Sequence, residues 1–303
     1  EIYTLSLHDA LPISTSIHTE KSNHSIAMLC RVMGVTRQGY HAWVSRKPCM
    51  HERRDCELAG LICDIYHENR RVYGSPKIFM MLKRTGVKTS RKRVSRLMKE
   101  YGLRGVSRGG KRKTTNKPVF QRPSAEDLVN REFSAKEANQ AWFADITYVK
   151  THQGWLYLAA VMDIWSRKIV GWSMASSMTA KLVDDALHMA IARRNPPEGC
   201  LHHSDHGSQY RSLLVGKTMK SAGIVPSMGA ISSPWDNAVC ESLMGTIKAE
   251  CVHLKTYKTK DEAACDIFEY IETFYNKRRI HSALGWLSPD EFEAKMLQCR
   301  KSA

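Results

Sequence analysis

Three acids in this chain stand where strand and helix patterns could gather them, and together their chemistry would be that of a bound divalent cation. Asp145 interrupts the β-branched and aromatic run Trp142-Phe-Ala-Asp145-Ile-Thr-Tyr-Val149. Asp205 follows the short apolar run Cys200-Leu201 and precedes Gly207, which suits a carboxylate at the end of a buried strand where the chain must turn. Glu241 lies in a helical pattern of Ala238, Val239, Leu243 and Ile247, with Pro234 upstream as a start signal. Asn237 and Gly245 are one turn either side of Glu241, and Lys248 is two turns beyond, so these positions share one helix face. Any one of the acids alone reads as an ordinary surface carboxylate. Three that converge repel one another unless a cation holds them. Mg²⁺, or Mn²⁺ in its place, takes such hard oxygen donors and completes its shell with waters and phosphates. Two ions about 3.5–4 Å apart serve in-line displacement at phosphorus.

Around these acids the chain resembles the DDE insertion-sequence transposases, in the second-frame branch related to retroviral integrases. The matching motifs are Trp142 to Tyr148, then His203-Ser-Asp205-His-Gly-Ser-Gln209-Tyr210, then Asp236-Asn237-Ala-Val-Cys-Glu241-Ser. Thirty-five residues separate Asp205 from Glu241, and Lys248 follows seven later, as in the family. Tyr275-Asn276, Arg279, His281-Ser282, Leu284-Gly285 and Ser288-Pro289 resemble the family's closing signature. The likeness runs from about residue 25 to 295. It implies an α/β fold with a ribonuclease-H-like catalytic core, a mixed five-stranded sheet with helices, preceded by an all-α helix-turn-helix DNA-binding region. It also implies that Asp145, Asp205 and Glu241 are the catalytic and metal-holding residues. Lys248 is then expected on a DNA phosphate near the scissile bond, with Asn237 and Gln209 orienting DNA or the groups behind the metal ligands. Two metal ions per site are expected, with double-stranded DNA as partner. Such proteins are expected to work as homo-oligomers on paired DNA ends, and are often made as a frameshift fusion with an upstream helix-turn-helix frame.

The elements that must position these acids read as follows. Trp142 to Lys150, Trp155 to Asp163 and Arg167 to Ser173 are strand-like and separated by short turns, so three antiparallel strands are expected. Thr179 is expected to cap a helix from Ala180 to Arg193, which Asn195-Pro-Pro-Glu-Gly199 breaks. A fourth strand ends at Asp205, a helix covers Tyr210 to Ala222, and Ile224-Val225 is a short fifth strand before the helix of Glu241. Asp163 is the strongest decoy for a metal ligand and is read as structural, bonding the turn at Ser166-Arg167. A final amphipathic helix starts at Asp261 and leads to His281, which is expected to contact DNA or to pack this tail beside the active site.

Upstream, Ser25 to Trp43 reads as helix, glycine turn, helix, with Thr36 as a cap and Ile26, Leu29, Val32, Val35, Tyr40 and Trp43 as a small core. A DNA-binding reading sets Arg37, Gln38 and His41 outward; a plain helical hairpin fits the same pattern. Helices are also expected from about Arg53 to Glu68, from Tyr73-Gly-Ser-Pro76 to Leu82, and from a Ser90 cap to Tyr101. Between Lys83 and Lys117 there are fourteen Lys or Arg and one acid, Glu100, so this stretch carries +13 of the chain's net +16. A solvated helix face alternates signs and this one does not, which marks Arg91, Lys92, Arg93, Arg96, Lys111, Arg112 and Lys113 for phosphate contact.

The boundaries expected are a leader over 1–24, a helical DNA-binding region over 25–103, a basic linker over 104–135, a catalytic core over 136–295 and a tail over 296–303. Residues 1–14 resemble a translated sequencing adapter, so they are expected to be artefactual or unpacked and the true start is unknown. The absence of an 18-residue apolar run argues against a membrane span. Nine scattered cysteines without a Cys-x-x-Cys fit reduced thiols in a cytoplasm, and not a disulfide framework or zinc site. With the family resemblance, the expected place is the bacterial cytoplasm, on the nucleoid. The function expected is Mg²⁺-dependent DNA cleavage and strand transfer at insertion-sequence ends. A hydrolytic nuclease on the same core, or a decayed DNA-binding repressor, is the alternative.

Overall fold

The computed structural model describes residues 7–47, 49–107, 135–205, 207–228 and 238–301. Asn237, Lys111, Arg112, Lys113 and most of the expected linker lie outside the described residues. The chain forms two compact units, residues 1–60 and 61–303.

The first unit holds α1 (Leu7–Glu20), α2 (Ile26–Val32), α3 (Arg37–Ser45) and the first half of α4 (Met50–Glu68). Ser25 Oγ accepts from the Met28 amide at 3.3 Å and Thr36 Oγ1 from the Gly39 amide at 3.0 Å, so both helix starts are capped as their sequence requires. Ile17, Cys30 and Tyr40 form the buried centre, with Ile13, Ile26, Leu29, Val35 and Trp43 packed around it. Two expectations need correction. The leader is helical from Leu7, and within the stretch expected to be unpacked Ile13 lies against the core and Ser14 is 6% exposed, because with Ile17 they complete a core that two short helices alone leave open. Val32, expected in that core, is 73% exposed at the end of α2.

The second unit continues with α5 (Ser75–Arg84) and α6 (Arg91–Glu100). Val94, Leu97 and Met98 bury one side of α6, and Ser90 Oγ accepts from the Arg93 amide at 3.2 Å. The expected division at 104–135 is displaced, since α5 and α6 belong to the same compact unit as the sheet. The ties are specific. Arg70 pairs with Asp266 at 2.7 Å, Arg84 with Glu291 at 2.5 Å, and the Ile280 amide donates to the Tyr73 hydroxyl at 2.9 Å. Arg104 and Val106, placed in the linker by sequence, bond back to Tyr66 and Val72.

Five strands make one sheet in the order β3-β2-β1-β4-β5: β1 (Ala141–Thr151), β2 (Gly154–Asp163), β3 (Ile169–Ala175), β4 (Leu201–Ser204) and β5 (Val225–Met228). The first three are antiparallel; β4 pairs parallel with β1, and β5 with β4. This is the expected ribonuclease-H-like arrangement with its mixed sheet. Alternation along β1 divides its residues between two layers. Trp142 and Ala144 face the main core with Leu182, Leu187 and Ala190 of α7 (Ala180–Arg194) and Val215 and Met219 of α8 (Leu213–Ser221). Phe143 faces the other way, onto Cys240 and Val239 of α9 (Ala238–Glu250). Gly171 on β3 lets α7 lie close, since a Cβ there would meet the Ala186 carbonyl and stand 2.8 Å from the Ala190 side chain.

Smaller differences have local causes. Thr179 occupies the cap position of α7 but its side chain makes no capping bond. α8 begins at Leu213, where Ser212 Oγ accepts from the Val215 amide at 3.3 Å. α10 (Lys260–Glu269) passes into a π-helical turn over Tyr270–Tyr275, and a further helix, α11 (Pro289–Lys301), replaces the expected 296–303 tail. Ser288 starts α11: its Oγ accepts from the Glu291 amide at 3.3 Å while Glu291 returns a bond to the Ser288 amide at 2.8 Å, a reciprocal box.

Candidate active site

Asp145 lies on β1, and Asp205 directly follows β4, its parallel neighbour. β1 and β4 pair with Trp142 opposite His202 and Phe143 opposite His203. The pairing ends there; alternation puts Asp145 on the side of Phe143, the side that α9 covers, and Asp205 stands in the turn after β4, close enough for its charge to act on Asp145. His203 confirms that side, with its ring 4.9 Å from Phe143 and its Nδ1 sharing a 3.0 Å hydrogen bond with Ser227 on β5. Glu241 enters from the first turn of α9. Asp145 Oδ1 accepts from the Ile146 amide at 2.8 Å, and Asp205 Oδ1 from the Gly207 amide at 3.0 Å, which fixes the turn after β4.

Electrostatics report the convergence. Burial pushes the Asp145 carboxyl up to about 7, and the negative charges of Asp205 and Glu241 push in the same direction, while the Ile146 amide and the Lys248 ammonium pull down. Asp145 thus feels both other acids, yet among the described residues no group of three or more His, Cys, Asp or Glu is arranged to hold a metal ion. The donor set is all carboxylate oxygen, the kind that suits Mg²⁺ or Mn²⁺ better than a soft metal.

Lys248 lies two turns along α9 with its Nζ 4.5 Å from the centre of the Tyr148 ring, and the charge of Asp145 acts on it. Gln209 donates to the Met178 carbonyl at 3.4 Å, so its side chain is engaged by the loop before α7. Arg37 and Gln38 are exposed on the first turn of α3. Arg91, Lys92 and Arg96 are exposed on α6, where Arg96 pairs with Glu100 at 2.7 Å; Arg93 is half-buried. The decoy Asp163 is fully buried and structural. It accepts from the Trp165 and Asn139 amides at 2.9 and 2.8 Å and pairs with Arg194 at 3.2 Å, so its partners are wider than the Ser166-Arg167 turn expected.

The closing signature proves to be a clamp behind α9, one that sequence reasoning left without partners. Asn276 accepts from the Ile169 amide and donates to the Ile169 carbonyl, both at 2.9 Å, which pins the start of β3. Arg279 makes two 2.6 Å bonds to Glu250 near the end of α9, and Tyr270 donates to the same carboxylate at 3.0 Å. His281 beside them is held neutral: burial and the cations Arg279, Lys77 and Arg167 push it down to about 2. It therefore packs, and is too weak a base to take a proton near neutral pH.

The sequence matches two models described as Integrase core domain, over residues 135–234 and 222–289, and one described as HTH-like domain over residues 53–111. The last falls on α4 to α6 and not on the α2–α3 pair. Among similar proteins, the transposase InsF for insertion sequence IS3A of Escherichia coli is 36% identical over 289 residues, 93% of this chain and 98% of its own. The transposase for insertion sequence element IS904 of Lactococcus lactis is 39% identical over 250 residues, 82% of this chain and 98% of its own. An insertion element IS600 protein of Shigella sonnei is 39% identical over 270 residues, 89% and 99% of the two chains. A solved HTLV-2 integrase catalytic core domain in complex with magnesium is 18% identical, with 52% of this chain and 97% of that one covered at a TM-score of 0.38. With integrase core and HTH-like regions both present, and relatives matched over nearly their whole length, the chain belongs to the insertion-sequence transposases of the InsF kind, enzymes of the polynucleotidyl transferase type.

Proposed function

We propose that this transposase cuts DNA at the ends of its insertion sequence and joins the freed 3′-hydroxyl to a target phosphodiester, with Asp145, Asp205 and Glu241 as the metal-holding residues. The observation that carries this reading is that the charges of both Asp205, directly after β4, and Glu241, in the first turn of α9, act on the buried Asp145 of β1. Mg²⁺, two ions by the chemistry of in-line displacement, would activate the attacking oxygen and stabilise the leaving one. Asp145 offers its oxygens from the sheet, Asp205 from the turn that its bond to the Gly207 amide fixes, and Glu241 from a helix that Glu250 and Arg279 anchor at the far end. Lys248 sets a positive charge beside Asp145, where it meets a phosphate next to the scissile bond. Gln209 and Asn237 are assigned to orienting DNA in the same region.

The α5–α6 pair presents duplex DNA with Arg91, Lys92 and Arg96 from its second helix, while Arg93, Lys111, Arg112 and Lys113 add phosphate contacts that carry little sequence information. Arg37 and Gln38 on α3 are assigned a second DNA contact. Copies of the chain would assemble on paired DNA ends. The test is strand transfer from pre-nicked terminal DNA in Mg²⁺: joined products are expected, and cuts without joining would identify a hydrolytic nuclease instead. Asp145→Asn should abolish both reactions while DNA binding persists, and cleavage that survives it would remove Asp145 from the metal site.

A further inference from the structure

At the turn end of the β1–β2 hairpin, two large aromatic rings stand in solvent. Tyr148 is 56% exposed and Trp155 is 45% exposed. They share one face of the hairpin, that of Trp142 and Ala144 and not that of Asp145, because Trp155 pairs with Lys150 and Tyr148 with Tyr157, and their rings meet edge to face at 5.1 Å. They line a cavity of about 640 Å³ with Lys150, His152, Lys248, His253 and Lys255, and no Asp or Glu is among its described lining residues. The cavity is built and not incidental. The His152 amide donates to the Tyr257 carbonyl at 3.1 Å and the Lys260 amide to Gln153 at 3.1 Å, tying the hairpin to the segment that follows α9.

Position gives these rings a meaning. β4 pairs with β1 only as far as Phe143, and Lys248 links the two regions: the Asp145 charge acts on it while its Nζ sits 4.5 Å from the Tyr148 ring. Exposed rings with the Lys150 and Lys248 ammonium groups beside them form a surface suited to a base and its phosphates. Duplex DNA hides its base faces, so stacking needs an unpaired nucleotide. We propose that the Tyr148–Trp155 pair is a stacking platform for an unpaired DNA nucleotide beside the active site, with Lys150, His152 and His253 holding the phosphates of that strand. This rests on the DNA-joining reading above and names the form of DNA that the site takes.

Binding alone tests it, in the Asp145→Asn chain so that no cleavage intervenes. The probes are a duplex 30-mer and the same duplex carrying a short single-stranded thymidine tail. Trp155→Ala and Tyr148→Ala should each weaken the tailed probe by roughly tenfold, in the range of base–aromatic stacking, and leave the blunt duplex nearly unchanged. Trp155→Phe should restore most of the loss. Equal losses on both probes, or none on either, would overturn the proposal. Photo-crosslinking of a 5-iodouracil tail to the chain with both rings intact gives an independent reading. Adducts are expected on the peptides that carry Tyr148 or Trp155, and adducts confined to other segments would reject the platform. Because no catalysis enters, failure here leaves the strand-transfer assay to judge the DNA-joining reading separately.

Discussion

At the scale of single residues, what distinguishes the candidate site is that charge is placed where burial disfavours it. Two further acids add to that cost at Asp145, against the Ile146 amide and the Lys248 ammonium, an arrangement that makes chemical sense when a divalent ion is shared. Lys248→Ala should leave folding intact and lower the slope of log K against log salt for DNA binding by about one phosphate contact. Asp266 gives a contrasting carboxylate. Bonds from Tyr257, Arg70 and Lys255 overcome its burial and hold it down at about 2. Its folded pKa lies below its unfolded value, so its stabilisation is complete above about pH 4 and is lost as the pH falls toward 2. In acid denaturation, the stability difference between the parent chain and Asp266→Asn should therefore be about 1–2 kcal/mol at pH 7 and vanish near pH 2. A difference that stays constant across that window would contradict the assignment. The placement of Asp145 on a strand, of Glu241 and Lys248 on one helix, and of Asp163 in a bonded turn is legible in the sequence, because each sits in a short local pattern. The Glu250–Arg279 pair is not, since its members lie 29 residues apart and Arg279 stands in irregular chain after the π-helical turn.

At the scale of elements, the site depends on two packed layers. α7 lies on one face of the sheet through Gly171, and α9 lies on the other through Phe143 and Cys240. Gly171→Ala should cost about 1–3 kcal/mol, as overpacking does, with a lower denaturant midpoint as the readout. Glu250→Ala would leave the Arg279 guanidinium buried without its carboxylate, and should cost about 3–5 kcal/mol. The matched exchange of both residues for apolar ones should restore much of that stability. Strands β1 to β3 and helix α7 could be read from periodicity because their apolar residues repeat cleanly. α11 could not, since its charged residues outnumber its apolar ones and its start depends on the Ser288–Glu291 exchange. The same limit applies to α1, whose apolar side gains meaning only when Cys30 and Tyr40 are folded against it.

At the scale of the whole molecule, charge is the dominant feature. The net +16 is concentrated between Lys83 and Lys117, and the described part of that stretch belongs to the same compact unit as the sheet. Sequence placed a boundary after these helices because their composition changes there; tertiary contacts such as Arg70–Asp266 and Tyr73–Ile280 override it. Replacing Arg91, Lys92, Arg96 and Lys99 with Gln should lower the salt slope of DNA binding by roughly 0.9 for each phosphate contact removed. Cleavage of DNA held at saturation should change little. Among the described residues no helix is long and apolar enough to cross a membrane, and all nine cysteines are free.

The shared-cation claim is tested most directly by titrating Mn²⁺ into the chain and into Asp145→Asn, Asp205→Asn and Glu241→Gln, with free Mn²⁺ followed by electron paramagnetic resonance. The parent chain should take up the ion, and each single exchange should weaken uptake by an order of magnitude or more, since removing any one carboxylate disrupts the same site. Uptake at the parent affinity in any of the three variants would contradict the account.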